Sequence, residues 1–227
     1  MIDIHSHILP EVDDGSENIF QSLEMLKAAE QQGITDIVLT PHYRADYLTK
    51  RADLEQKFEM LKSAAKKDGI NVSLYLGQEI YAFRDIIKWL KEGKLLSMNG
   101  TKYVLVEFSV KQEMDIPETV YMLKTNGFIP IVAHISRYFY AEIETAREVK
   151  EIGGLVQINA TSLCDSFFYR RRAMKFIKEG LVDFVASDMH YKRRQDMQKA
   201  YKIVSKKFGV YIADKLFTEN AKILLNK

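Results

Sequence analysis

Seven short apolar runs recur along the chain, separated by amphipathic stretches of helical spacing. No other feature limits the fold as much. The runs are MIDIHSH (1–7), DIVLTPH (36–42), VSLYLGQE (72–79), KYVLVEF (102–108), FIPIVAH (128–134), LVQINAT (155–161) and VDFVASDMH (182–190). Several are nearly continuous in Val, Ile and Leu, as in parallel strands covered on both faces. Helical patterns fill the gaps: 16–33, 51–69 and 115–127, a helix ending at Gly180, then 194–208 and 210–225. In the third of these, Asp115 and Glu118 have capping-box spacing and Gly127 stands where a helix would stop. The repeat is therefore the βα unit of about thirty residues. A chain of 227 residues, 47% hydrophobic, can bury one sizeable core. No linker or low-complexity tract divides it, so one domain over 1–227 is expected. A closed α/β barrel fits best. An open doubly wound sheet is the alternative, but no Gly-rich phosphate loop follows the first run.

All five histidines, His5, His7, His42, His134 and His190, fall at the C-terminal ends of these runs. That is the face where α/β barrels build their sites. His5 and His7 are two apart in a strand pattern, so both project to one side and can grip one ion. Asp188 and His190 repeat the spacing. Glu79 ends the third run, and Glu107 stands inside VLVEF, where burial is costly unless the carboxylate is paired or metal-bound. Asp13 and Asp14 lie in the first loop, where turn formation is the alternative role. Five imidazoles with four or five carboxylates exceed what one Zn²⁺ takes, and mixed ligands of this kind suit two or three ions such as Mn²⁺, Fe²⁺ or Zn²⁺.

Charge and cysteine content exclude other classes. With 33 Lys and Arg against 31 Asp and Glu, the net charge is +2, no bulk signal for nucleic acid. Asp3 and His5 do not fit a signal peptide, and no apolar stretch is long enough to insert in a membrane, so a cytoplasmic protein is expected. The single cysteine, Cys164, excludes an internal disulfide. Cys164 and Arg170 have the Cys-x5-Arg spacing of a cysteine phosphatase loop. The intervening DSFFY has no Gly to let backbone N–H groups wrap a phosphate, and Asp165 adds an anion beside the thiol. The match is read as accidental.

The segments MIDIHSHILPEVDDGS, TPHY, GQEIY, VEFS, AHISRY and ASDMH together resemble the polymerase and histidinol phosphatase (PHP) superfamily. More narrowly, they resemble the CpsB/YwqE-type manganese-dependent protein-tyrosine phosphatases of bacterial capsule and exopolysaccharide operons. The likeness runs from Met1 to the terminal FTENAKILL. It implies a distorted (β/α)7 TIM-like barrel holding three ions, Mn²⁺ first, with Fe²⁺, Zn²⁺ or Mg²⁺ as alternatives. Carried over motif by motif, His5, His7, Glu79 and Asp188 would bind the first ion. Glu79 would bridge to the second, completed by Glu107 and His134. Asp14, His42 and His190 would hold the third, with Asp14 preferred over Asp13 by its place in VDDG. Members of this family usually have Gly where Glu11 stands and Glu where Ser136 stands. The arginine expected after His190 falls at Arg193 or Arg194, with Arg194 taken as the contact to substrate.

The implied chemistry is metal-assisted hydrolysis of phosphotyrosine, in which the ions lower the pKa of water and a bridging hydroxide attacks phosphorus. Arg137, three residues after His134, is placed to fork onto the phosphate. Its other reading is a surface ion pair. Tyr43, Tyr47, Phe139 and Tyr140 could pack the substrate ring. Arg170–Arg172 and Lys192–Arg194 could draw in an acidic phosphopeptide, or could be solvated helix surface. The implied partner is the flexible tail of a membrane-associated tyrosine autokinase, and a homo-oligomer is allowed. Competing enzyme readings are a histidinol-phosphate type phosphomonoesterase of the same superfamily and a TatD-like nuclease, and a metal-stabilised scaffold is the non-enzyme reading.

Overall fold

The computed structural model describes residues 1–165 and 167–226. The chain runs β1 (Ile2–Ser6), α1 (Ile19–Gln31), β2 (Asp36–Leu39), β3 (His42–Tyr43), α2 (Arg51–Lys67), β4 (Ser73–Leu76), β5 (Glu79–Tyr81) and α3 (Ile86–Lys91). It continues through β6 (Tyr103–Glu107), α4 (Ile116–Thr125), β7 (Ile129–Val132), α5 (Ile143–Ile152), β8 (Leu155–Asn159), α6 (Ala160–Cys164) and α7 (Phe167–Lys178). β9 (Phe184–Ala186), α8 (Met197–Phe208) and α9 (Val210–Asp214) follow, and a π turn and a 3₁₀ turn finish it. The strands form two curled parallel sheets, ordered β1-β2-β4 and β3-β5-β6-β7-β8-β9.

Two of the seven expected strands are broken. DIVLTPH divides at Thr40-Pro41 into β2 and β3, and SLYLGQEIY divides at Gly77-Gln78 into β4 and β5. Pro41 has no N–H to give a ladder. A Cβ on Gly77 would sit 2.9 Å from Met98 Sδ and 3.2 Å from Val38 Cγ1, so a larger residue here would push those side chains aside. Pairing survives the break, because Gly77 N donates to Leu39 O and Glu79 N donates to Pro41 O. Glu79 thus opens β5 rather than ending the strand before it.

The curl brings β1 back to β9. Asp188 N donates to His5 O and His7 N donates to Met189 O, each at 2.9 Å. Below them, Ser187 N donates to the buried Asp3 carboxylate at 2.9 Å. An outer apolar layer fills the space between helices and strands. An inner cluster gathers Ile2, Ile4, Val38, Leu105, Ile131 and Phe184, closed by Leu224 and Leu225 of the C-terminal segment. Leu105 and Glu107 are two apart in β6 and point the same way, so the inner layer leads up to the rim where the polar residues stand. Asp115 caps α4 by accepting from Glu118 N at 2.9 Å, and Gly127 follows with φ 91°.

Candidate metal centre

The strand ends place their histidines and carboxylates within a few ångströms of one another. Glu79 is the hub. Its Oε1 lies 2.9 Å from His134 Nε2 and 3.2 Å from His5 Nε2, and its Oε2 lies 2.8 Å from His42 Nδ1 and 3.4 Å from His7 Nε2. Burial alone would raise its carboxyl. The surrounding histidines, His5 and His42 foremost, outweigh that and hold it well below the usual carboxylate range. Glu107 has the opposite fate: burial and the neighbouring Glu79 charge push it up to about 7. Asp188 lies 3.4 Å from His7 Nε2 and 3.7 Å from His5 Nε2. Asp14 lies 3.3 Å from His190 Nε2 and 3.5 Å from His42 Nε2.

Three groups have ligand atoms close enough to share an ion: His5, His7 and Glu79; His7, Asp14, His42 and His190; and His42, Glu79 and Glu107. The donor set fits divalent cations. His5 Nε2 and His7 Nε2 face each other at 3.2 Å, both wholly buried, so a cation between them would take both nitrogens as ligands. Glu107 Oε2 is buried with no hydrogen-bond partner among the described residues. Compared with the grouping implied by resemblance, His42 joins Glu79 and Glu107. Its ring stands between two carboxylate groups, with Nδ1 toward Glu79 and Nε2 toward Asp14.

Residues behind the cluster aim it. Asp13 Oδ2 lies 2.7 Å from His7 Nδ1 and accepts from His42 N at 2.9 Å, which turns His7 Nε2 toward Glu79. Gly15 is required beside it, since a Cβ there would fall 1.9 Å from His7 O. Asn159 Nδ2 donates to Asp188 Oδ2 at 2.7 Å, and Gln157 Oε1 accepts from His134 N at 2.6 Å. His134 and Asp188 sit at φ 30° and 51°, left-handed values that side chains rarely adopt.

The family of capsular polysaccharide synthesis proteins, CpsB/CapC, matches residues 1–226. The chain belongs to the CpsB/CapC family. Tyrosine-protein phosphatase CpsB of Streptococcus agalactiae is 35% identical over 238 aligned residues, covering 99% of this chain and 98% of that one. Tyrosine-protein phosphatase YwqE of Bacillus subtilis is 34% identical, covering 99% and 91%. A crystal structure from work on YwqE and on CpsB of Streptococcus pneumoniae, described as unique metal-dependent tyrosine phosphatases, superposes with a TM-score of 0.94. That match is 31% identical and covers 100% of this chain and 95% of the other.

In this CpsB/CapC chain the mouth of the cluster carries arginines. Arg137 Nη1 lies 3.5 Å from Asp188 Oδ2. Arg193 reaches both Asp14 and Asp188 at 3.8 Å. Arg194, expected at the substrate, turns away: its Nε donates to Asp196 Oδ2 at 2.5 Å. The residue facing the cluster is its neighbour, because Arg193 N bonds back to His190 O and the turn points that side chain inward. Arg44, which the sequence reading passed over, lies 3.7 Å from Asp14 and 3.8 Å from Glu107. Arg172 is not at the mouth. Its guanidinium donates to the carbonyls of Ser136, Tyr138 and Ala141, fixing the loop that carries Arg137.

Arg137, Arg193, Asn159, Thr161, Tyr169 and Asp188 are among the residues lining a cavity of about 310 Å³ beside the cluster. A larger cavity of about 770 Å³ lies against α2 and β4 and touches none of these residues. Of the four aromatics expected at the ring, Tyr43 packs on Phe83 and Trp89, and Tyr140 donates to Ser109 O. Tyr47 stacks 5.9 Å from the His42 ring, and Phe139 meets Phe168 and Tyr169. Glu11, where glycine is usual, has φ 59° and pairs with Lys57. Ser136 is buried with its Oγ 3.4 Å from Ser162 Oγ. Cys164 ends α6; burial and Asp196 push its thiol up to about 11, the wrong direction for a nucleophile. The Cys-x5-Arg stretch also includes Ser166, outside the described residues. Among the described residues no helix is long and apolar enough to cross a membrane.

Proposed function

We propose that this chain, as one domain over 1–227, is a metal-dependent protein-tyrosine phosphatase using up to three ions, Mn²⁺ before Fe²⁺, Zn²⁺ or Mg²⁺. The observation that carries the reading is the buried Glu79 carboxylate held by four histidines below a mouth lined by arginines. His5, His7, Asp14, His42, Glu79, Glu107, His134, Asp188 and His190 would hold the ions. Bound divalent ions supply positive charge to phosphate oxygens and acidify water at neutral pH. The protein does the rest. Asp13 keeps the His7 proton on Nδ1, leaving Nε2 free to bind. Asn159 steadies Asp188. Arg137 and Arg193 stand at the edge of Asp188, from which they fork onto a phosphate and fix its orientation.

Reach selects the substrate. Most of the cluster is buried, so a phosphate must be delivered on a long, narrow stem. A phenyl ring carries it past the arginines, whereas a serine stem is short. The phenolate is also the better leaving group, with a pKa of about 10. The physiological partner in this reading is the flexible, tyrosine-bearing tail of a membrane-associated autokinase, met in the cytoplasm.

Steady-state kinetics of the Mn²⁺-loaded protein on matched phosphotyrosine and phosphoserine peptides, and on histidinol phosphate, test it. Turnover of phosphotyrosine that chelator abolishes is the expected result. Comparable kcat/KM for both peptides, or a large preference for histidinol phosphate, would overturn the protein-phosphatase reading.

A further inference from the structure

Many cations of this protein have carboxylate partners: Arg51 with Glu55, Lys57 with Glu11, Arg147 with Glu179, Lys150 with Asp183. Others have none among the described residues, and one face of α7 gathers several of these around a single groove. Arg170, Arg171, Lys175 and Lys178, joined by Lys207 of α8, line a groove of about 460 Å³. Among the described residues none of these five is in an ion pair. Arg171, Lys175 and Lys178 recur at i, i+4 and i+7, so they share one side of the helix, where like charges repel. Between the cations the groove is apolar, formed by Phe167, Met174 and Phe208. Phe167 is 79% exposed and Phe168 beside it is 59% exposed. Unpaired positive charge around an apolar floor favours an anionic ligand with an apolar side chain.

The groove and the mouth of the cluster share helix α7. Tyr169 lines the cavity with Arg137 and Arg193, while Phe167 and Arg170 on the same turn of α7 line the groove. One helical turn rises about 5.4 Å, and extended peptide covers about 3.3 Å per residue. A chain whose phosphotyrosine entered between Arg137 and Arg193 reaches the groove by passing around α7 over its next several residues. Phe139, on the loop with Arg137, meets Phe168 with ring centroids 5.5 Å apart, so the bridge between the two is aromatic.

We propose that this groove docks acidic residues flanking the phosphotyrosine of a protein substrate, with one apolar peptide side chain seated on Phe167 and Phe208. The proposal rests on the phosphotyrosine reading above and adds the sequence class that the enzyme selects. The occupant is peptide rather than a bilayer, because the cations rim a concave groove on the same helix that lends Tyr169 to the cavity beside the cluster.

Two measurements test it and fail separately from that reading. Fluorescence anisotropy of a labelled, unphosphorylated acidic peptide reads docking without catalysis. Kinetics compare phosphotyrosine peptides with acidic and with neutral flanks. The wild-type protein is expected to bind the acidic probe and to prefer the acidic-flanked substrate by about tenfold in kcat/KM at low salt, through charge complementarity. R171E/K175E, or the milder R171Q/K175Q, should lose both effects while p-nitrophenyl phosphate turnover is unchanged. Equal kcat/KM for the two flanks with no binding of the probe overturns the proposal. Binding to anionic phosphatidylglycerol vesicles that the variants abolish, without any flank preference, replaces it with a membrane surface. If no phosphotyrosine peptide is turned over yet the probe binds and the variants lose it, the groove stands and the phosphatase reading falls.

Discussion

The buried cluster of histidines and carboxylates and the arginines around it lie side by side but are built differently. His5, His7, Glu79 and His134 are at most 1% exposed and are held by strand ladders, by Asp13 and by Gln157. The side chains of Arg44, Arg137 and Arg193 are 30%, 38% and 48% exposed and reach inward from loops. The buried ring has one arrangement, because moving any member exposes another to unpaired charge. The arginine collar can shift to meet a ligand, and its ion pairs at 3.5–3.8 Å are loose enough to be exchanged for a phosphate. A rigid floor under an adjustable collar suits a site that does one chemistry on many peptides.

The sharpest way to break this contrast is to remove the hub. Glu79→Ala should lower kcat/KM by on the order of 10³ or more, since an electrostatic element of the site is lost outright. His5→Ala should act similarly, and metal analysis of both variants should show lower occupancy. Full metal content with near-normal activity would place the chemistry elsewhere.

Metal affinity comes next. Glu107 titrates near 7, and His5 and His7 are raised, His7 strongly, by Glu79, Asp188 and Asp13 against the opposing effect of burial. Ions need neutral imidazole and ionised carboxylate, so loading expels protons and affinity rises with pH. Calorimetry in buffers of different ionisation heat should detect proton release at neutral pH, with Mn²⁺ binding weakening below about pH 7. Binding independent of pH from about 6 to 8 would contradict these protonation states.

The collar should respond more gently. Arg137→Ala and Arg193→Ala should each cost about 10–100-fold in kcat/KM with metal content unchanged, as lost charge-assisted hydrogen bonds do. Arg194→Ala, which loses the contact to Asp196, should stay within about threefold. Equal losses at 193 and 194 would show that the loop rearranges on binding. Smallest of all, Cys164→Ser should leave the rate within about twofold, since its thiol lies at about 11 and serves no step.

The same contrast explains what the sequence could reveal. Strand ends are visible as the points where apolar runs stop, so the histidines at such points were readable without a structure, although His42 opens β3 rather than ending β2. Glu107 was readable because a carboxylate inside VLVEF demands a partner. Asp13 and Asp14 could be ranked only by resemblance, because adjacent residues of a turn face different ways and spacing does not say which. Arg193 and Arg194 posed the same problem, and there the loop turned the other one inward. Arg44 left no periodic signal at all. The kinks at Pro41 and Gly77 were visible as residues, yet the strands on either side read as continuous because their apolar pattern does not pause.

The seam between β1 and the residues after β9 ties the site to the order in which the chain is made. His5 and His7 leave the ribosome before the rest of the cluster. Asp188 and His190, which must stand beside them, arrive only when most of the protein has been translated. A nascent chain therefore carries a two-histidine fragment with no floor beneath it, and interrupted synthesis anywhere before residue 188 yields no working copy. Long-range closure of this kind is slow relative to local helix formation. The seam at residues 187–189 is thus the last part of the cluster to be completed.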